Sequence, residues 1–175
     1  MTIAILAGGA SRRMGQDKAA LFLDTLQQAA EATGLPVVVV GGAALPDDHL
    51  GQGPLGGLAT ALRHTNETVL AVACDMPALD TEAFLWLVAQ WEALPEKPIG
   101  LIIDHLFAIY TPACLPRIAA LRESGRLSLY GLIETGGFVV LETPATLAPK
   151  LVNLNTPEEL AEYQQKKSLH AKAVA

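Results

Sequence analysis

Close to the start of the chain, a pair of glycines is followed by three cations at a spacing that suits an oligophosphate. Residues 3–18 read Ile-Ala-Ile-Leu-Ala-Gly-Gly-Ala-Ser-Arg-Arg-Met-Gly-Gln-Asp-Lys. Gly8 and Gly9 carry no Cβ, so backbone N–H groups there can approach an anion closely and adopt the angles that aim them at it. Arg12 and Arg13 offer planar forks and Lys18 a compact point charge, two complementary ways of neutralising phosphate. Taken singly, a glycine pair also suits an ordinary strand-to-helix turn, and paired arginines also suit a solvated surface. Spacing excludes two named phosphate motifs. Gly15 and Lys18 are separated by Gln16 and Asp17 and no hydroxyl residue follows, unlike a P-loop; Gly8 and Gly9 are adjacent, unlike a dinucleotide fingerprint.

Four further stretches carry candidate chemistry. Asp75 follows an apolar run and precedes the turn at Met76-Pro77, which puts a carboxylate at the carboxyl end of a strand, where open α/β sheets bind ligands. A hard cation such as Mg²⁺ suits it, because Mg²⁺ takes one or two carboxylates together with phosphate oxygens and water. Asp47 and Asp48 lie in a loop and serve either as turn residues or as acceptors for ligand N–H groups. Gly53-Pro54-Leu55-Gly56-Gly57 opens a helix whose first N–H groups are free to face an anion. In Asn153-Leu154-Asn155-Thr156-Pro157-Glu158-Glu159, a capping box accounts for Thr156, Pro157 and Glu159 but leaves Asn153 and Asn155 unexplained.

The elements that must position these residues alternate along the chain. Ile3 to Ala7 is a buried strand, Ala19 to about Thr33 a helix stopped by Gly34 and Pro36, and Val37 to Val40 a second strand of β-branched residues. Gly41 to Gly57 is a loop, Leu58 to His64 a helix, Val69 to Ala73 a strand, and Thr81 to Trp91 a helix packing through Phe84, Leu85, Val88 and Trp91. Strands at Ile99–Ile103 and Leu106–Tyr110 flank a tight connection at Asp104-His105. Helices at Cys114–Arg122 and Arg126–Glu134 precede a strand at Phe138–Glu142 and a last short one at Leu151–Asn153. The expected fold is a three-layer α/β/α, Rossmann-like domain with a mostly parallel sheet, spanning residues 1–165 and followed by a frayed tail.

Bulk properties agree. The 175 residues are 51% hydrophobic and 17% charged, which suits one well-buried domain. A net charge of −6 disfavours nucleic acid as a partner. No apolar run is long enough for a membrane span, and no charged leader with a cleavage site is evident. Cys74 and Cys114 have neither metal-ligand nor disulfide-scaffold spacing, so a reduced, cytoplasmic protein is expected, with Cys74 as a small core residue.

The stretch Leu-Ala-Gly-Gly-Ala-Ser-Arg-Arg-Met-Gly-Gln-Asp-Lys-Ala resembles the signature of the molybdenum cofactor guanylyltransferases. Gly53–Gly57, Cys74-Asp75-Met76-Pro77 and Asn153–Glu159 are similar to three further blocks of that family, in its order, so the resemblance spans nearly the whole chain. It implies a nucleotidyltransferase of the corresponding fold that moves GMP from GTP to the terminal phosphate of molybdopterin. It also implies Mg²⁺ on Asp75, and molybdoenzymes or other cofactor-biosynthesis proteins as partners. By the same resemblance Leu6, Ala7, Gly8, Gly9, Lys18, Gly53, Pro54, Leu55 and Asp75 hold the nucleotide, and Asp47 reads the guanine. Lys18, Arg13 and Asp75 would be catalytic, and His105, Arg126, Asn153 and Asn155 would meet the acceptor. The segment Ala19–Asp24 is shorter than the family's, and Gly41-Gly42 replaces a frequent Asn. Two other readings stay open: transfer of CMP or another nucleotide to molybdopterin or another phosphorylated acceptor, and a catalytically silent module that binds nucleotide or molybdopterin.

Overall fold

A computed structural model describes residues 1–7, 16–48, 51–154, 159, 161–163 and 165, the side chains of 16–21 excepted. Strand and helix alternate as β1 (Thr2–Leu6), α1 (Gln16–Glu31), β2 (Val37–Val40), α2 (Gly53–Thr65), β3 (Val69–Ala73) and α3 (Thr81–Ala93). The second half adds β4 (Gly100–Asp104), β5 (Phe107–Tyr110), α4 (Leu115–Glu123), α5 (Leu129–Ile133) and β6 (Phe138–Val140). The six strands form one sheet in the order β2-β1-β3-β5-β4-β6. β1 is parallel to β2 and β3, β5 is antiparallel to β3 and β4, and β6 is parallel to β4. The sheet is therefore mostly parallel, with β5 alone reversed.

Successive side chains of a strand point to opposite faces, and here both faces are covered. Ile3 and Ile5 of β1 and Leu70 and Val72 of β3 pack on one side with Leu26 and Ala30 of α1 and Phe84 and Leu87 of α3. Ala4, Leu6, Val69 and Ala71 pack on the other with Leu58 and Leu62 of α2, Ile118 of α4 and Leu132 of α5. Runs without polar alternation, such as Val69–Ala73, are what a doubly covered sheet demands. Phe84 meets Phe107 edge-on at 5.6 Å, fixing α3 over the reversed strand. Each large apolar side chain so buried stabilises the fold by roughly 1.5–3 kcal/mol.

Several boundaries differ from the sequence expectation. α1 starts at Gln16 and runs unbroken, so Lys18 lies in its first turn and the short Ala19–Asp24 segment is helical. α2 starts at Gly53, so the Gly53–Gly57 stretch expected to open the helix is its first turns, not the end of the preceding loop. On α3 the buried stripe is Phe84, Leu87 and Trp91, and Leu85 is exposed. α5 is confined to Leu129–Ile133 because the Ser128 hydroxyl accepts the Gly131 N–H at 3.0 Å and caps a helix there. Leu151–Asn153 is not a strand. That segment is tied to the sheet edge by the Leu154 N–H, which donates to the Asp75 carbonyl at 2.9 Å. Leu154 also packs in a small cluster with Phe22 of α1 and Tyr163. The expected helix start at Thr156 and the tail from residue 166 lie outside the described residues, although residues 159, 161–163 and 165 are helical.

Candidate active site

The strand order reverses at β1, which has β2 on one side and β3 on the other, so a crevice opens over the carboxyl ends of β1 and β3. Its described lining is Leu6, Asp47, Gly53, Pro54, Gly57, Ala73, Cys74, Asp75 and Leu106. Gly8 and Gly9, expected from the sequence to meet phosphate, follow β1 in the chain with Arg12 and Arg13, and all four lie outside the described residues. Ala7 is tied to the neighbouring strand, its N–H donating to the Val40 carbonyl at 2.8 Å. Lys18 is placed by its backbone in the first turn of α1.

One wall of the crevice is the start of α2. Gly53 has φ +60°, a left-handed angle that favours glycine, and Pro54 occupies the first turn, where a missing N–H costs nothing. A Cβ on Gly57 would stand 3.4 Å from Leu6 Cδ2, so glycine lets α2 lie close against the end of β1. Leu55 points into the core and is fully buried. No side chain caps this helix; Gln52 instead accepts from Arg122 Nε of α4.

Above that wall, the loop after β2 is closed by the Gly41 N–H donating to the Leu45 carbonyl at 2.9 Å. It delivers Asp47 into the crevice, where it is 8% exposed, while Asp48 is exposed. Thr60 of α2 donates its hydroxyl to Asp47 Oδ1 at 2.9 Å and accepts the Asp48 N–H at 3.2 Å. The sequence reading missed Thr60. Its signal was a hydroxyl in the apolar run Leu58-Ala59-Thr60-Ala61-Leu62, since a buried polar group needs a partner.

The facing wall is the end of β3. Asp75 is also 8% exposed, yet its Oδ1 is fully buried with no hydrogen-bond partner. Burial pushes its pKa above the ordinary 3.8 and nearby Asp104 pushes the same way, while a backbone hydrogen bond and the Asn153 side chain pull it back. Asn153 Oδ1 is likewise buried without a partner. A desolvated carboxylate oxygen with nothing to bond is costly by itself and fits a cation. Among the described residues no group of three or more His, Cys, Asp or Glu side chains gathers to hold a metal; a site with one or two carboxylates is the kind that Mg²⁺ shares with phosphate oxygens and water. Cys74 lines the crevice, but burial and the adjacent Asp75 push its thiol up to about 11, which leaves it inert as a nucleophile.

The acceptor-side candidates are more dispersed. His105 sits in the β4–β5 turn with Nδ1 3.5 Å from Asp104 Oδ1, and its ring stacks on Tyr130 of α5. Arg126 pairs with Glu134 at 2.6 Å, both side chains more than half exposed. Asn153 faces Asp75, and Asn155 lies outside the described residues. Leu106, which the sequence reading did not single out, reaches the crevice because its carbonyl accepts the Ala73 N–H at 2.9 Å.

Known proteins resemble this chain in sequence and in fold. The model of the MobA-like NTP transferase domain matches residues 3–136. A "Probable molybdenum cofactor guanylyltransferase" of Nostoc sp. is 31% identical, covering 94% of this chain and 90% of its own. The "Molybdenum cofactor guanylyltransferase" of Xanthomonas euvesicatoria is 31% identical, covering 89% of each chain. A solved structure from Aquifex aeolicus superposes with a TM-score of 0.75 at 24% identity, over 89% of this chain and 93% of that one, which is a likeness of fold. On the family match and these full-length relatives, the chain belongs to the MobA-like NTP transferase family.

Proposed function

We propose that this nucleotidyltransferase moves GMP from GTP to the terminal phosphate of molybdopterin, giving the guanine dinucleotide cofactor and pyrophosphate. The observation that carries the reading is the pair of buried carboxylates lining one crevice over β1 and β3, Asp75 with an unpartnered oxygen and Asp47 held by Thr60. In this reading Asp47 accepts from the N1–H and N2 amino group of guanine, a pattern that cytosine and adenine do not present. Gly8, Gly9 and Arg13, which follow β1 in the chain, and Lys18 in the first turn of α1 take the triphosphate. Asp75 would hold a Mg²⁺ ion, which when bound would offset negative charge on the phosphates.

An oxygen of the acceptor's phosphate attacks the α-phosphorus, and the bond from that phosphorus to the bridging oxygen of the β-phosphate breaks, releasing pyrophosphate. The nucleophile is already an anion at neutral pH, so no side chain need remove a proton. The residues act by holding donor and acceptor in line and by offsetting charge, Lys18 supplying the compact cation. His105, Arg126, Asn153 and Asn155 are the acceptor-side candidates. The two buried free cysteines support a reducing, cytoplasmic setting, and no described helix is long and apolar enough to cross a membrane. Molybdoenzymes are the expected recipients of the product.

Pyrophosphate release tests the reading. It should require GTP and molybdopterin together and should fail with CTP or ATP; equal turnover with CTP, or none with any nucleotide, would overturn it.

A further inference from the structure

Tyr130 is a large aromatic held out in solvent at the same sheet edge as Asp75. Its neighbours Leu129 and Leu132 anchor α5 in the core, whereas Tyr130 is 61% exposed. Its ring lies on that of His105, with centroids 4.2 Å apart and planes tilted by 32°. Packing does not require it: α5 would remain anchored with any residue there.

The surface under this pair is rigid. Asp104 Oδ1 accepts the Leu106 N–H at 2.7 Å, closing the β4–β5 turn. The hydroxyl of the fully buried Tyr110 donates to the His105 carbonyl at 2.9 Å and fixes the backbone from below. The turn lies beside the strand that leads to Asp75, because the Leu106 carbonyl accepts the Ala73 N–H. Asp47 and Gly53 thus stand on the β1 and α2 side of Asp75, and the stacked rings stand on the β5 and β4 side. An acceptor attacking a nucleotide phosphate held at Asp75 has to approach from the side the nucleotide leaves open, and the two rings stand on the β5 and β4 side, His105 next in sequence to Leu106 of the crevice lining.

We propose that His105 and Tyr130 form a stacking shelf for the flat heteroaromatic ring of the acceptor, with Tyr130 as a residue that selects acceptors by shape. This rests on the reading of the acceptor as a pterin phosphate. An aromatic shelf binds a planar ring through its face and does not require the tyrosine hydroxyl.

The test uses the full chain with Mg²⁺ and α,β-methylene-GTP, and titrates two probes, a fluorescent phosphorylated pterin and ribose 5-phosphate, which carries the same anion without a planar ring. Wild type should bind the pterin and quench its fluorescence. Tyr130→Phe should keep that affinity, and Tyr130→Ala should lose at least about fivefold, as removal of a stacking ring does. Ribose 5-phosphate and GTP should bind wild type and Tyr130→Ala equally. Undiminished pterin binding by Tyr130→Ala, or an equal loss in Tyr130→Phe, overturns the shelf alone. Wild type that binds GTP but no phosphorylated pterin overturns the acceptor reading and the shelf with it.

Discussion

Asp47 and Asp75 are buried to the same extent on facing walls of one crevice, and they are treated in opposite ways. Asp47 receives a hydroxyl from within the protein, since Thr60 donates to Oδ1 at 2.9 Å and also ties down the next backbone N–H. Asp75 is buried just as deeply with an oxygen left unpartnered, its pKa raised by burial. Burial alone therefore does not mark a functional carboxylate. The first is an acceptor held by a hydroxyl of the protein; the second keeps a buried oxygen that the protein leaves unpartnered, the position the proposed cation would fill.

The largest effects should come from the incomplete side. Asp75→Asn is expected to lower transfer by about 1,000-fold or more, as loss of a charge-stabilising group in a dry site does, and Lys18→Ala to do the same, both read by pyrophosphate release. The stability of metal-free Asp75→Asn sharpens the contrast. Asp75 has a raised folded pKa, so its contribution is most favourable below the ordinary value of 3.8 and is lost as pH rises through the folded value. In EDTA the variant should accordingly melt at or above wild type at pH 7, and the difference should close below about pH 4. A variant that melts lower at pH 7 would mean that Asp75 is a structural residue.

The satisfied side should behave in the reverse manner. Thr60→Val should cost about 1–3 kcal/mol by removing the hydroxyl that donates to a buried carboxylate oxygen, and should weaken discrimination of GTP from ITP, which lacks the N2 amino group. Thr60→Ser should restore both, as read by denaturant melts and competition binding. Smaller still, Arg126→Ala should change stability by under about 1 kcal/mol, since its pair with Glu134 is exposed; a raised KM for molybdopterin with GTP affinity unchanged would place it on the acceptor. Cys74→Ala should leave transfer within about twofold, because a buried thiol with a pKa near 11 has no thiolate to offer at neutral pH.

Much of this was legible in the sequence where one interaction dominates. Ile3–Ala7 and Val69–Ala73 read as buried strands because a doubly covered sheet demands uninterrupted apolar residues, and the place of Asp75 at the crevice follows from its ending such a run. Asp47 was separable from Asp48 only by spacing, and the structure puts the first in the crevice and the second in solvent. Where local and tertiary preferences compete, reading failed. Leu151–Asn153 has a strand's composition but no ladder partner, and its tie to the sheet is one hydrogen bond to Asp75. The Arg126–Glu134 helix was overextended because Ser128 looks like any polar residue until it caps Gly131. Thr60 signals itself only as a hydroxyl in an apolar run, its partner Asp47 lying 13 positions away, and Tyr130 gives no signal because its meaning depends on His105, 25 positions away.

The central claim is that the unpartnered Asp75 oxygen is completed by a cation that brings the nucleotide with it. Calorimetric titration of GTP, with Mg²⁺ and with EDTA, into wild type and Asp75→Asn addresses it most directly. The account predicts tight binding only for wild type with Mg²⁺, with CTP and ATP weaker under the same conditions. Equal GTP affinity in the variant, or binding by wild type that ignores Mg²⁺, would contradict it.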